Sequence, residues 1–422
     1  MNPRSLAATC LARLERARKE NLRAVDLLDA IHREHPDADP RDRGLLTELV
    51  YGVLRWHVRL DHTLAGWVKQ RFTKLEPIAR SLLRVGAYQL VMLDRIPDRA
   101  AVHATLEAAD AIGASRVKGL VNAVLRRVAE NGEQLPTGYT DNAIAVRTSL
   151  PRWIVRELRY LSRSPEELEA LAAGLRRRPA LTVRPTLTRG GADAVRAALQ
   201  KEGFVVADGA YGTLEVSGPG DPFGTAAARG GLFVAQDPAS LAVIDLCGDV
   251  AGKRVLDLCA GRGIKATALA DRGAEVMAVD LVASKLEQTR ALAQRLGLGH
   301  RIETCAIDPT RQALDVAPFD VVLVDAPCTG LGTLARRPEI AWRREPADIK
   351  RLARLQNALL DQGARYVTSK GIVVYAVCTF TKAESAPGVP EGFISDPGRD
   401  VHRWRPDQGS DAFYARRFQR VT

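Results

Sequence analysis

The sequence predicts a chain of several domains: an all-helical front, a small α/β middle domain, and a final α/β domain built on a doubly wound parallel sheet. Three observations carry this prediction. Residues 1–130 show apolar positions at helical spacing, residues 140–230 are mixed, and from residue 231 onward short apolar strands alternate with helical segments. With 422 residues the chain can hold two or three domains of about 100–200 residues each.

Helical spacing is clearest near the end of the front domain. Val117, Val121, Val124 and Val128 follow one another at steps of four, three and four residues, which places them on one face of a helix. A second segment of this kind follows Pro77, a residue suited to the first turn of a helix. Several short helices with brief connections predict a compact bundle over residues 1–130.

The middle domain is predicted over residues 140–230. It follows a polar linker at 130–142 and contains a predicted strand at 180–184. The run Arg176–Arg178 just before that strand could help the domain clamp RNA, or it could be a solvated face. Both interpretations stay open.

The final domain, residues 231–422, contains four apolar runs at 254–258, 275–280, 319–325 and 371–377. Runs of this kind are typical of strands buried on both faces of a parallel sheet. Ligands of such sheets bind beyond the carboxyl ends of the strands. The residues that follow these runs are therefore the candidates for a functional site.

Charge and cysteine content narrow the class of protein. The net charge of +11 indicates a polyanionic partner, most simply a nucleic acid. No apolar run reaches the ~20 residues that span a bilayer, and the N-terminus lacks the features of a signal peptide, so we expect a cytoplasmic protein that is not bound to a membrane. The six cysteines form no CxxC pair, which argues against disulfides and against a metal site. We expect a monomer.

Two features after the first two strands predict a nucleotide-like ligand. Gly261 and Gly263 stand where the first strand turns into a helix, and glycine lets the backbone approach a ligand closely. Asp280 ends the second strand, where a carboxylate can accept hydrogen bonds from a ribose. These features alone fit either NAD or S-adenosylmethionine.

Two cysteines favour methyl transfer. Cys328 follows the third strand within Asp325-Ala-Pro-Cys-Thr-Gly330, and Cys378 ends the fourth strand. Carbon 5 of cytosine is a poor nucleophile, and a thiolate that adds to carbon 6 makes carbon 5 able to attack a methyl group. Asp325 is suited to relieve the charge that develops on the base.

The front and the final domain each resemble a known family. The stretch from Asp42 to Arg55 and the helix from Val117 to Arg127 resemble the RNA-binding domain of the antitermination factor NusB. The segments Asp325–Gly330, Thr329–Trp342 and Cys378-Thr379 resemble the RNA cytosine-5 methyltransferases of the bacterial Sun/RsmB type, which act on small-subunit ribosomal RNA. The resemblance covers essentially the whole chain.

The resemblance implies a role for each site residue. Cys378 would be the nucleophile, Cys328 would help to expel the product, and Asp325 would contact both base and cofactor. The glycine turn would hold the methionine part of S-adenosylmethionine, with Lys265 also near the base. Asp280 would bind the ribose and Asp308 would lie near the adenine. The turn comprises Cys259, Ala260, Gly261, Arg262, Gly263, Ile264 and Lys265.

The sequence departs from the family in two places. The turn usually reads Cys-Ala-Ala-Pro-Gly-Gly-Lys, whereas this chain has Arg262 and Ile264 inside it. After the nucleophile the family usually shows Glu-Asn-Glu leading into a helix, whereas this chain has Glu384-Ser-Ala-Pro387, which predicts a shortened helix. Two alternatives to the active enzyme stay open, the first supported by the changed turn and the second by the glycines and Asp280. One is a NusB-like RNA-binding factor with a silent methyltransferase domain, and the other is an NAD-dependent oxidoreductase, which would leave both cysteines without a role.

Overall fold

A computed structural model describes residues 1–17, 22–396 and 401–421 of the chain. Their contacts group the chain into two compact units. The first unit comprises Met1–Arg177 together with Leu334–Arg344, and the second comprises Arg178–Thr333 and Glu345–Thr422. Each unit has its own hydrophobic core.

The first unit is helical throughout its described residues and begins with nine α-helices. These are α1 (Pro3–Arg16), α2 (Ala24–Glu34), α3 (Pro40–Ala65), α4 (Pro77–Met92), α5 (Asp98–Ala111), α6 (Lys118–Asn131), α7 (Asp141–Arg147), α8 (Arg152–Leu158) and α9 (Pro165–Gly174). Proline occupies the first turn of α1, α3, α4 and α9, where its missing N–H costs no hydrogen bond.

The predicted valine stripe faces the core of this bundle. Val117, Val121, Val124 and Val128 are all buried, and the last three lie on α6. The apolar faces of α1, α3, α4 and α6 meet in one continuous core. The prediction of a helical bundle at the front of the chain is confirmed.

A short segment from the last part of the sequence also belongs to the first unit. The indole Nε1 of Trp342 donates to the carbonyl of Leu54 at 3.2 Å, and the Arg84 guanidinium lies 4.9 Å from the centre of its ring. The sequence prediction places residues 334–344 with the final domain and residues 140–177 with the middle domain. Both segments instead group with the helices of the first unit. The hydrogen bond from Trp342 to Leu54 spans 288 residues of sequence, a separation that local periodicity does not encode.

The second unit begins with a four-stranded antiparallel sheet. Its elements are β1 (Leu181–Pro185), α10 (Gly191–Lys201), β2 (Val205–Asp208), β3 (Leu214–Ser217), α11 (Ala226–Arg229) and β4 (Phe233–Ala235). The strands lie in the order β2-β3-β1-β4. Of the basic run before β1, Arg176 is buried, whereas Arg177 and Arg178 are exposed.

A larger α/β layer structure follows. Its elements are α12 (Pro238–Asp245), β5 (Arg254–Asp257), α13 (Ile264–Asp271), β6 (Glu275–Asp280), α14 (Ala283–Leu296), β7 (Ile302–Ala306), β8 (Phe319–Asp325), α16 (Pro346–Arg365), β9 (Val367–Val377), β10 (Phe393–Ser395), β11 (Val401–Trp404) and β12 (Phe413–Arg420). The short helix α15 (Ile340–Arg343) belongs to the first unit.

The large sheet has a switch point at its centre. Strands β7, β6, β5, β8 and β9 are parallel neighbours in that order, and β12 pairs with β9 in the antiparallel sense. From β5 the chain first builds outward through β6 and β7, then returns to place β8 and β9 on the other side. The carboxyl ends of β5, β6, β8 and β9 therefore surround one crevice, where ligands of such sheets bind. The predicted Rossmann-like architecture is confirmed.

Candidate active site

The glycine turn joins β5 to α13. Gly261 and Gly263 have φ values of +58° and +78°, which L side chains rarely adopt. A Cβ atom at Gly263 would lie 2.5 Å from Cγ2 of Thr289, so this position admits only glycine without rearrangement. A Cβ atom at Gly261 would meet no atom within 4 Å, so there is open space beside the turn at that position.

Asp280 holds this turn from the end of β6. Its carboxylate accepts the backbone N–H of Gly261 at 3.0 Å and that of Val282 at 2.9 Å. Lys285, one turn into α14, lies 3.3 Å from the same carboxylate. Lys285 was not predicted as a site residue, because a lysine in an amphipathic helix carries no sign of its contact with another element.

Lys265 and Asp325 form an ion pair between α13 and the end of β8. Nζ of Lys265 donates to Oδ2 of Asp325 at 2.6 Å, and the lysine is buried. Burial acts to lower the pKa of Lys265, but the charge of Asp325 outweighs it, and the net effect is a pKa above the usual value. Lys265 is therefore charged at neutral pH.

A third carboxylate lies behind this pair. Asp257, the last residue of β5, is only 1% exposed. Burial, followed by the charge of Asp325, raises the pKa of Asp257 to about 7. Asp257 was not predicted as a site residue.

The two predicted cysteines meet at the carboxyl edge of the sheet. Sγ of Cys328, in the loop after β8, lies 3.1 Å from Sγ of Cys378, which follows β9. The hydrogen bond with Cys378 and the burial of the site raise the pKa of the Cys328 thiol well above its usual value. Cys328 therefore keeps its proton at neutral pH and can donate it in a hydrogen bond to the sulfur of Cys378.

The remaining predicted residues lie at the same edge of the sheet, with different surroundings. Cys259 is half-buried and Ala260 is buried, and the turn exposes Arg262 and half-buries Ile264. Asp308 follows β7, and its carboxylate accepts both the N–H and the hydroxyl of Thr310, which lowers the pKa of Asp308. Within the described part of the chain, no hydrogen bond joins Asp308 to the other predicted site residues.

Two features next to the cysteines were not predicted. A Cβ atom at Gly332 would lie 1.8 Å from the carbonyl oxygen of Ala412, and the Gly332 N–H donates to the carbonyl of Cys378 at 3.1 Å. Glu384, noted in the sequence only as part of a departure from the family, is buried and accepts hydrogen bonds from both cysteine loops. The predicted shortening of the helix here is observed, since residues 382–385 form a turn.

A search of the described residues finds no group of three or more His, Cys, Asp or Glu side chains that could hold a metal ion. Among the helices that the structure describes, none combines the length and the apolar character needed to cross a membrane.

Comparison with known proteins identifies the family. A family model described as 16S rRNA methyltransferase RsmB/F matches residues 248–397, and the NusB family model matches residues 1–130. Ribosomal RNA small subunit methyltransferase B of Pseudomonas putida is 33% identical over 403 residues, which cover 94% of this chain and 90% of the relative. The enzyme of the same name from Thermus thermophilus is 36% identical over 393 residues, covering 93% of this chain and 87% of the relative.

A solved structure agrees in fold. The crystal structure of PH0851 matches with a TM-score of 0.82 at 19% identity, covering 100% of this chain and 99% of that chain. The identity of more than 30% to curated relatives over most of both chains contradicts the interpretation as an NAD-dependent oxidoreductase. The chain belongs to the RsmB/F family of ribosomal RNA methyltransferases, with a NusB domain at its front.

Proposed function

We propose that this protein transfers a methyl group from S-adenosylmethionine to carbon 5 of a cytosine in small-subunit ribosomal RNA, with Cys378 as the nucleophile. The observation that carries the proposal is the pair of thiols, whose sulfur atoms lie 3.1 Å apart at the sheet edge that also bears the glycine turn and Asp280. The names of the curated relatives support ribosomal RNA as the substrate.

The residues present fit S-adenosylmethionine. The open space beside Gly261 leaves room for the methionine part along the turn. Asp280 uses its carboxylate to hold the turn, and a carboxylate has enough lone pairs to accept a ribose hydroxyl as well. Lys265, Asp308 and Asp325 complete the proposed cofactor and substrate contacts. When bound, the cofactor would supply a methyl group on a sulfonium, which is open to attack by carbon.

The electrostatics favour Cys378 over Cys328 as the attacking thiolate. Cys328 holds its proton because its pKa is raised, and its S–H can stabilise a negative charge on Cys378. The buried ammonium of Lys265 also interacts electrostatically with Cys378. Cys378 would add to carbon 6, which makes carbon 5 nucleophilic.

Asp325 and Lys265 are placed to act on the base. The carboxylate of Asp325, which Lys265 orients, can accept a hydrogen bond from the exocyclic amino group or from a protonated nitrogen 3 of the cytosine. After methyl transfer, a base such as solvent water takes the proton from carbon 5, the electron pair re-forms the double bond between carbons 5 and 6, and the sulfur of Cys378 leaves carbon 6 as a thiolate. Cys328 touches the departing sulfur, which suits it to assist this release.

Methylation of a defined RNA tests the reaction. The full-length protein, incubated with methyl-labelled S-adenosylmethionine and small-subunit ribosomal RNA, should place the label in 5-methylcytidine after digestion to nucleosides. Label in another nucleoside would contradict the carbon-5 assignment. Absence of label with a properly folded protein would favour the silent-domain alternative.

Two single variants test the roles of the thiols. Cys378→Ala should form no covalent bond to RNA and transfer no methyl group. Cys328→Ala should still attack but release product slowly, so that a protein–RNA complex stable to denaturing electrophoresis accumulates. If Cys378→Ala is the variant that accumulates the complex, the assignment of the two cysteines is reversed.

A further inference from the structure

Glu384 links the loops that carry the two cysteines. Its carboxylate accepts the backbone N–H of Thr329 at 2.8 Å and the Thr329 hydroxyl at 2.6 Å. It also accepts the hydroxyl of Thr381 at 2.7 Å and lies 3.3 Å from that of Thr379. Thr329 directly follows Cys328, and Thr379 directly follows Cys378. One buried carboxylate thus holds the residue next to each thiol.

The two loops are also joined to each other through this group. The hydroxyls of Thr329 and Thr379 lie 2.9 Å apart, so the Thr379 hydroxyl can donate to that of Thr329, which in turn donates to Glu384. The arrangement fixes the loops in a single register. A displacement of either loop would break at least one of these hydrogen bonds.

Glu384 itself is anchored to rigid elements. Nε2 of Gln356, on α16, donates to its carboxylate at 3.0 Å and to the carbonyl of Pro327 at the same distance. The hydroxyl of Tyr375, on β9, donates to the backbone carbonyl of Glu384 at 2.8 Å. The carboxylate is therefore held from the sheet and from a helix, and it does not move freely with either cysteine loop.

Hydrogen bonds, and not a basic side chain, satisfy the carboxylate of Glu384. The side chain is only 1% exposed, and no ion pair to it occurs within the residues that the structure describes. A buried carboxylate is stable only when several donors neutralise it, and here the donors come mostly from the two cysteine loops. The same hydrogen bonds therefore stabilise the buried carboxylate and fix the positions of the two loops.

We propose that Glu384 is a positioning residue that sets the separation of the two thiols, an inference that rests on the proposed function of Cys378 and Cys328. Release assisted by Cys328 requires its sulfur to stay in contact with the sulfur of Cys378, which makes the attack. A misplacement of about 1 Å at a reacting centre can reduce turnover by about 10²-fold. Glu384 prevents such a misplacement without touching substrate or cofactor.

The principal test is Glu384→Gln in the full-length protein. The amide of glutamine keeps the shape of the side chain. In the variant, however, an NH₂ group replaces one of the carboxylate oxygens that accept hydrogen bonds from the two cysteine loops in the wild type. We expect kcat to fall about 30–100-fold, with the KM values for S-adenosylmethionine and RNA changed less than about threefold.

Asp271→Asn is a matched control, because Asp271 is another buried carboxylate that bridges two parts of the same unit. It accepts the N–H groups of Leu187 and Thr188, the Thr188 hydroxyl and the Arg184 guanidinium, all away from the cysteine loops. We expect this variant to lower the melting temperature at least as much as Glu384→Gln, with kcat within about threefold of the wild type. Equal losses of kcat in the two variants would show a purely structural role and overturn the inference.

A second measurement reports the thiols directly and needs no methyl transfer. Alkylation by iodoacetamide, followed by peptide mass spectrometry, gives the rate at each cysteine, with half-buried Cys305 as the internal reference. In Glu384→Gln, loss of the contact between the two sulfur atoms should lower the pKa of the Cys328 thiol. The alkylation rate of Cys328 at pH 8 should then rise at least threefold relative to that of Cys305. An unchanged ratio in Glu384→Gln would overturn the inference, even if the wild type showed no methyl transfer and the proposed function failed.

Thr329→Val separates position from charge and remains available if Glu384→Gln does not fold. Valine has the shape of threonine but lacks the hydroxyl that joins Glu384 to Thr379, while the charge of Glu384 is kept. We expect the same rise in Cys328 alkylation and a smaller fall in kcat. If alkylation rises in Glu384→Gln but not in Thr329→Val, the carboxylate acts on Cys328 through its charge alone, and the positioning role is refuted.

Discussion

Replacement of Lys265 by methionine removes one half of the ion pair with Asp325 and leaves the side-chain volume nearly unchanged. Nζ of Lys265 lies 2.6 Å from Oδ2 of Asp325, and the lysine side chain is 10% exposed. Removing one partner of a fully buried pair costs about 3–5 kcal/mol. The Asp325 side chain is 29% exposed, so water recovers part of this loss, and we expect about 2–3 kcal/mol.

Thermal unfolding measures this cost. For a unit of about 150–250 residues each kcal/mol shifts the melting temperature by about 2–4 °C, so Lys265→Met should melt about 5–10 °C below the wild type at pH 7.5. Methyl transfer should also fall, because Cys378 loses a neighbouring positive charge. The conservative control is Lys265→Arg, which keeps the charge and should recover most of the stability.

The difference between wild type and variant should depend on pH in a defined direction. The pKa of Lys265 is raised in the folded protein by Asp325, against the opposing effect of burial. Its stabilisation is therefore complete below the pKa of an unfolded lysine, about 10.4, and is lost as the pH rises through the folded value. Equal melting temperatures of Lys265→Met and wild type at pH 7.5 would refute the reasoning, as would a difference that grows above pH 10.5.

Three further predictions concern the cofactor, the buried carboxylate and the RNA. Asp280→Ala should weaken S-adenosylmethionine binding by about 1.5–3 kcal/mol in calorimetry, since it removes acceptors for the ribose and the anchor of the glycine turn. If the wild type bound NAD more tightly than S-adenosylmethionine, the cofactor assignment would be contradicted. The pKa of Asp257 in the folded protein, about 7, exceeds its value in the unfolded chain. The free energy of unfolding of the wild type should therefore fall by up to about 1.4 kcal/mol per pH unit as the pH rises from 4 to 7. The melting temperature of Asp257→Asn should therefore rise relative to that of the wild type as the pH increases from 5 to 8. A difference in melting temperature that stays constant over this range would contradict the prediction. Arg99 and Arg126 line a cavity of about 680 Å³ between α5 and α6. Replacing both by alanine should weaken RNA binding and reduce the slope of log K against log salt concentration by up to about 1.4. An unchanged slope would place the phosphate contacts elsewhere.

The sequence by itself determined the elements of the site. Continuous apolar runs specified β6 and β8 to the residue, because a strand buried on both faces leaves a pattern that depends only on its own residues. The glycine turn, Asp280 and the two cysteines could be found because each lies at the end of such a run or within a few residues after it. Parallel strands bring their carboxyl ends to one edge, so their proximity followed from the fold class alone.

Only the tertiary structure decided how these elements are held. The thiols lie 3.1 Å apart, and the hydrogen bonds of Glu384 reach Thr329, next to Cys328, across 55 residues of sequence. Trp342 packs in the helical unit through a hydrogen bond to Leu54 that spans 288 residues. A local pattern records which face of an element is apolar, but a buried carboxylate or a single indole carries no periodicity. Its partner is set by packing between distant segments, and that information exists only once the chain is folded.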